Sequence, residues 1–279
     1  MARVSVIVPV GNDRWLQQCL ASICAQAVSA LDLVVVEDRE RRGAAWARNR
    51  GLEQATGDFV FFCDADDVMG DLRALIDAAA ETQADLVVGS FVKRGLLNCT
   101  VRDFKSEKIM DMLEVARYIR ENMSNPRHHQ MLSGCWGKLF KMSIIRKHGL
   151  RFDESLRTAE DLDFNFEYLQ RCDTVCFIPE ITYYYIKHGG SLTMKPDERM
   201  LDVLKVLKKL ERYGDIGHSF IYHAVLYAKR FPGLVRILML DPDFRKYIAT
   251  YVPAKGNYWL LPWLMKLGLA KPAEWAARL

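Results

Sequence analysis

Four short apolar runs dominate the first ninety residues, and a segment of helical periodicity separates each from the next. VSVIVPV (4–10), LDLVVVED (31–38), FVFFCD (59–64) and DLVVGSF (85–91) are nearly unbroken in Val, Ile, Leu and Phe. A strand that is apolar on both faces must be covered on both, and strands alternating with helices meet that need as a mainly parallel sheet between two helical layers. The intervening segments supply the helices. Trp15, Leu16, Cys19, Leu20 and Ile23 recur at helical spacing behind Asn12 or Asp13, which predict the cap; 44–56 and 71–83 read as two further helices. An α/β architecture follows, with ligands expected beyond the carboxyl ends of the strands.

Carboxylates gather at those ends. Asp38 closes the second run, and Asp64, Asp66 and Asp67 close the third. Two ionised carboxylates about 5.5 Å apart, at an effective dielectric near 20, repel by on the order of 3 kcal/mol, so a cation is expected among them. No G-x-G-x-x-G follows the first strand and no G-x-x-x-x-G-K-[ST] occurs, so neither a dinucleotide turn nor a P-loop is present to hold phosphates. Hard cations, Mg²⁺ or Mn²⁺, bind one or two carboxylates together with substrate phosphates. A D-x-D at a strand end places alternate residues on one side of the chain and suits that role. Turn and N-cap duty for the helix near residue 70 is the plainer account of Asp66, Asp67 and Asp71, but it leaves Asp64 unexplained.

The charge excludes one class of partner. The 39 basic and 35 acidic residues are well mixed, for a net charge of +4, so there is no polybasic footprint for nucleic acid. Seven cysteines, at 19, 24, 63, 99, 135, 172 and 176, show neither zinc spacing nor a disulfide framework, which points to a reducing cytoplasm. MARVSVIVPVGN makes a poor signal peptide, and no segment is long and apolar enough to span a bilayer. The expected location is the cytoplasm, peripheral on the inner face of the cell membrane if YWLLPWLMKLGL (258–269), rich in aromatics and Leu with Lys266, docks on lipid. Packing against the rest of the chain or a second subunit is the competing reading of that segment.

An ordered set of motifs adds to this. VSVIVPVGN, VVVED, GAAWARNRGLEQATGDFVFFCDADD, SGCWGKLFKMSIIRKHGLRFDESLRTAEDLDFNFEYL and ITYYYIKHGGSLT, over about residues 3–194, resemble the inverting, nucleotide-sugar-dependent glycosyltransferases of family two. The resemblance implies a GT-A fold: a Rossmann-like, mixed but mainly parallel sheet flanked by helices, here with a C-terminal helical extension. Residues 1–100 would form the nucleotide-sugar-binding part, 101–195 the acceptor and catalytic-base part of the same domain, and 196–279 the extension.

By that resemblance Asp38, with Pro9 beside it, reads the base, Asp64 faces the ribose, and Arg48 and Asn49 lie near the nucleotide. Asp66 holds the metal, Mn²⁺ or Mg²⁺, and Asp161 is the general base with Glu160 as its rival. His188 and Ser191 belong to a lid on the diphosphate, His188 also as a metal contact; Trp136, Lys138 and Glu160 stand on the acceptor side. The implied reaction moves a hexosyl or N-acetylhexosaminyl group, with inversion, from a UDP-sugar to a saccharide or lipid-linked acceptor in surface polysaccharide biosynthesis.

The residues carry plainer readings too. T-A-E-D (158–161) fits a capping box before a helix with Leu162, Phe166 and Leu169 as its buried stripe. His188 fits a polar turn residue before two glycines. Three departures from the family pattern stand out. Gly11 replaces an aromatic suited to stacking on the base. Only nine residues separate Asp38 from Arg48, so a helix and an edge strand are missing and the sheet should be one strand narrower. In the lid, Ile186 and His188 occupy the positions of the usual arginines.

Two other functions compete. FVFFCDADDV also fits the motif of haloacid-dehalogenase-type phosphatases, and a non-catalytic nucleotide-sugar-binding subunit would keep the pocket without turnover. DERMLDVLKVLKKLERYG (197–214) reads as an amphipathic helix with Leu201, Leu204, Leu207 and Leu210 on one face, and further helical segments are expected around prolines 232, 242, 253 and 262.

Overall fold

The computed structural model describes residues 2–12, 14–95, 99–102, 104, 106–123, 134–188, 200–211, 221, 224 and 242–250. The chain forms two compact units, one of residues 1–116 and 131–191, the other of residues 117–130 and 192–279.

The apolar runs become strands. In the first unit β1 (Val4–Val10) lies between β2 (Leu31–Glu37) and β3 (Phe59–Phe62), all three parallel. Helix α1 (Leu16–Cys24) and helix α2 (Ala44–Gln54) make the crossovers. Gly51 lets α2 lie close on the sheet, since a Cβ there would sit 2.3 Å from Cγ2 of Ile7. After β3 come β4 (Val68–Met69), helix α3 (Leu72–Thr82), β5 (Leu86–Arg94), β6 (Cys99–Arg102), β7 (Lys108–Asp111) and helix α4 (Met112–Met123). They are followed by β8 (Lys138–Lys141), helix α5 (Met142–His148), helix α6 (Glu160–Leu169) and β9 (Thr174–Ile186).

Among the described residues the sheet runs β2-β1-β3-β8-β5-β9-β4, with β6 on β5 and β7 on β9. The long ladders, β1 with β2 and β5 with β9, are parallel, while β8 enters antiparallel between β3 and β5. The fourth apolar run is therefore not the neighbour of the third. β2 forms the outer edge, as the short 38–48 loop predicts.

Each face of the sheet has its own core. Val4, Val6 and Val8 meet Phe61, Leu72, Leu75, Leu139 and Tyr183 on one side. On the other, Phe62, Phe140, Phe152 and Phe164 form a nest of rings, with Phe152 stacked on Phe164 at 4.1 Å and Phe62 edge-on to Phe152 at 5.2 Å. Burying each such ring stabilises the fold by about 1.5–3 kcal/mol, and this nest seats α6 against the sheet.

Two predicted caps are corrected. α1 starts with Trp15 at its N-cap position and without a side-chain cap, because Asn12 spends its Oδ1 on the Arg14 N–H at 3.0 Å; Asp13 lies outside the described residues. T-A-E-D is not a capping box either: Ala159, left-handed at φ 65°, precedes α6 with no side-chain cap, and the Asp161 carboxylate instead accepts from Leu162 N at 2.7 Å. Asp71 does cap α3, accepting from Ala74 N at 3.0 Å.

In the second unit α7 (Met200–Leu210) buries Leu204, Val206, Leu207 and Leu210, and α8 (Pro242–Thr250) buries Phe244 and Tyr247. Among the described residues no helix is long and apolar enough to cross a membrane. Residues 258–269 lie outside the described residues.

Candidate active site

Arg48 stands at the centre of the site. Its guanidinium is buried on α2, donating from Nη2 to Asp64 Oδ1 at 2.8 Å and from Nη1 to Glu160 Oε1 at 2.6 Å, and it lies over the Phe152 ring at 5.4 Å. One cation thus ties the D-x-D segment after β3 to the acidic pair opening α6, residues 96 positions apart in sequence (160 − 64). The buried charge is held in place by two carboxylates, whose field raises its pKa well above the ordinary value against the cost of desolvation. Asn49, next along α2, clamps the 152–154 loop by accepting from Phe152 N at 2.9 Å and donating to Glu154 Oε1 at 2.8 Å. Neither side chain faces solvent.

Because Glu160 is taken by Arg48, the two acidic residues differ. Asp161 is only half-buried, and no arginine or lysine is paired with it among the described residues. Burial, and then the neighbouring Glu160, push its carboxyl up to about 7, against the pull of Arg48. A carboxylate of that strength can take and return a proton near neutrality.

The D-x-D segment is stitched to β9. Asp66 Oδ2 lies 2.6 Å from His188 Nε2, and both side chains keep partial exposure. Asp67 is buried; it accepts from Tyr183 Oη at 2.7 Å and from Ile186 N at 2.7 Å. Burial and the neighbouring Asp64 hold the Asp67 carboxyl well above the usual carboxylate range. Trp15, expected in the helix core, is 37% exposed instead, with its ring 5.9 Å from that of His188.

Asp66 and His188, hydrogen-bonded to each other here, are of the donor types that a divalent cation takes. They offer one oxygen and one nitrogen side by side, and among the described residues no cluster of three or more His, Cys, Asp or Glu exists to hold a metal without help. Such a pair needs further ligands from a substrate, as phosphate oxygens provide.

The remaining predicted residues fall as follows. Asp38 is buried, and its two oxygens accept from Arg42 N at 2.8 Å and Gly43 N at 2.6 Å, so its carboxylate shapes the 38–43 loop. Pro9 lies in β1 opposite Val36. Trp136 stacks on Tyr183 at 4.8 Å and 12°. Lys138, predicted on the acceptor side, is buried and donates to the carbonyls of Gly134 and Trp136; burial lowers its pKa to about 8. It supports the turn that presents Trp136. Ser191 lies outside the described residues. Tyr183 escaped the sequence reading, although the alternation in I-T-Y-Y-Y-I puts Tyr183 and Tyr185 on one face, where Tyr183 is buried and Tyr185 packs against the core.

Residues 33–147 match the sequence model of the family described as glycosyl transferase family 2. Its mixed, mainly parallel sheet flanked by helices is a GT-A fold. Among individual proteins it is similar to the uncharacterized glycosyltransferase EpsJ of Bacillus subtilis, 25% identical over 71% of this chain and 65% of EpsJ. Glycosyltransferase GlyA of Streptococcus pneumoniae is 26% identical over 81% of this chain and 36% of GlyA. The poly(ribitol-phosphate) beta-N-acetylglucosaminyltransferase TarP of Staphylococcus aureus is 24% identical over 67% of this chain and 63% of TarP. The chain thus spans less than two thirds of the length of each.

The crystal structure of S. aureus TarS 1–349 in complex with UDP-GlcNAc superposes with a TM-score of 0.63, at 20% identity, over 95% of this chain and 87% of TarS 1–349. That likeness is one of fold.

Proposed function

We propose that the protein is a metal-dependent inverting glycosyltransferase that moves a sugar from a UDP-sugar to a hydroxyl of a saccharide or lipid-linked acceptor. The observation carrying this reading is the Arg48 bridge, which brings the D-x-D carboxylate Asp64 and the acidic pair Glu160–Asp161 into one electrostatic cluster. Donor and acceptor chemistry are thereby close enough for one displacement.

Asp161 is the base. Near neutral pH its carboxylate takes the proton of the acceptor hydroxyl, an assistance worth about 10²–10⁴ in rate. Glu160 is held by Arg48 and so takes no part in that exchange, while its charge raises the basicity of Asp161. With one free carboxylate on the acceptor side, a single displacement suits the site better than a covalent intermediate, and inversion of the anomeric centre follows.

Asp66 and His188 would hold the cation, which would supply stabilisation of negative charge on the departing diphosphate. A nitrogen ligand favours Mn²⁺ over the strictly oxygen-seeking Mg²⁺. Asp64 and Asp38 are assigned to ribose and base; each would share its oxygens with the partners it already has. Trp136 offers an aromatic wall to an acceptor, with Lys138 bracing it.

The N-acetylglucosaminyltransferase activity of TarP and the UDP-GlcNAc bound in the TarS complex favour an N-acetylhexosamine as the sugar. The succinoglycan biosynthesis protein ExoO of Rhizobium meliloti, 27% identical over 61% of this chain, favours a role in surface polysaccharide assembly. Action in the cytoplasm, at the inner membrane face, belongs to the same reading.

The test is a panel of UDP-sugars with Mn²⁺, read as thermal shift and as UDP release. A binder whose turnover vanishes in Asp161→Asn, while UDP still binds, is the expected result. Absence of any UDP-sugar binding with Mn²⁺ would overturn the reading.

A further inference from the structure

Three hydrogen bonds converge on the Tyr183 and Asp67 side chains, and each ends beside a residue assigned to the donor. The Tyr183 hydroxyl accepts from the backbone N–H of Asp64 at 3.1 Å and donates to Asp67 Oδ2 at 2.7 Å. The other oxygen of Asp67 accepts from Ile186 N at 2.7 Å, two residues before His188. Around them the backbone closes the same seam: Val68 and Met69 pair with Tyr184 and Tyr183, and Gly70 N and Asp71 N donate to Thr182 O and Ile181 O at 2.9 and 3.0 Å.

We propose that Tyr183 and Asp67 are positioning residues that lock the D-x-D turn and the end of β9 into one piece, so that Asp66 and His188 meet a cation at a fixed separation. A buried tyrosine hydroxyl with one partner needs no such account. Here the same oxygen also holds the amide of Asp64, while Asp67 holds the strand carrying His188. Neither side chain touches the cation, and both act through residues that do. Partners that orient metal-binding side chains typically contribute about 10–100-fold in metal affinity. The Tyr183 ring meanwhile stacks on Trp136, so the seam that aligns the donor residues also seats the acceptor-side indole.

This inference rests on the glycosyltransferase reading, and the test separates the two. Full-length wild type, Tyr183→Phe and Asp67→Asn are titrated with Mn²⁺ in the presence of UDP by electron paramagnetic resonance, and with UDP in EDTA by calorimetry. Tyr183→Phe keeps the ring and its stacking, and melting temperature checks that each variant is folded. The expected result is Mn²⁺ affinity reduced about tenfold or more in both variants, with UDP affinity in EDTA altered less than about twofold. Unchanged Mn²⁺ affinity in Tyr183→Phe would overturn the proposal. So would a parallel loss of metal-free UDP binding, which would mark the two residues as general supports of the fold. If wild type itself binds neither UDP nor Mn²⁺, the functional reading fails, and the inference falls with it.

Discussion

Replacing Asp161 by asparagine should stabilise the protein at alkaline pH while abolishing transfer. The carboxyl is held at about 7 in the folded chain against 3.8 when unperturbed, so the folded state binds a proton more tightly than the unfolded state. A group of this sign favours folding below its unfolded pKa and opposes it increasingly as pH rises towards the folded value. Linkage between these two values gives a cost of about 2 kcal/mol at pH 5 and about 4 kcal/mol at pH 8. Asp161 is only half-buried, and solvent screening reduces the difference between the two pH values to about 1 kcal/mol. Asparagine keeps the shape and carries no charge. Its melting temperature should therefore gain on wild type by about 2–4 °C more at pH 8 than at pH 5. Differential scanning calorimetry at the two pH values measures this. A gap that does not widen with pH, or that narrows, would refute the assignment of a desolvated, proton-retaining carboxyl at this position.

The same group sets the pH dependence of the reaction: a base must be deprotonated, so kcat should fall about tenfold per unit below pH 7 and level off above it. A flat profile from pH 5 to 8, in a transfer assay limited by chemistry, would contradict this. Arg48→Ala leaves Glu160 and Asp64 without their cation and should cost about 3–5 kcal/mol, read from urea unfolding; a loss below about 1 kcal/mol would mean that the bridge is not formed. At Gly70 a Cβ would stand 2.3 Å from the Ile181 carbonyl oxygen, so Gly70→Ala should destabilise by about 1–3 kcal/mol or more through backbone displacement, a melting-temperature measurement. His188→Ala should weaken Mn²⁺-dependent binding of UDP in calorimetry, and EDTA should stop transfer by wild type; equal affinity in the variant would remove His188 from the metal site.

Much of the architecture was legible because strand and helix periodicities are local. The runs at 4–10, 31–38 and 59–64 form strands within two residues of their predicted ends, and α2 and α3 fall where helical spacing places them. The D-x-D was likewise visible, since carboxylates at strand ends are a chemical anomaly in any α/β chain, whereas the E-D pair and the histidine of the lid segment stood out through the family resemblance. What each side chain touches was not visible. Arg48, which the resemblance puts near the nucleotide, is tied to two carboxylates only once α2, β3 and α6 enclose it, and Asp67 reads as a turn residue until β9 supplies Tyr183 and the Ile186 amide. The cap predicted at Asn12 failed because its side-chain oxygen accepts from the Arg14 N–H. The amino-acid order by itself determined an apolar α/β core with acidic residues at its carboxyl edge, because burial and periodicity act over a few residues. Only the tertiary structure decided that β8 enters antiparallel between β3 and β5, and that Glu160 pairs with Arg48 while Asp161 stays available. Those outcomes depend on contacts between segments about a hundred residues apart, where desolvation and charge pairing, not local propensity, choose the partner.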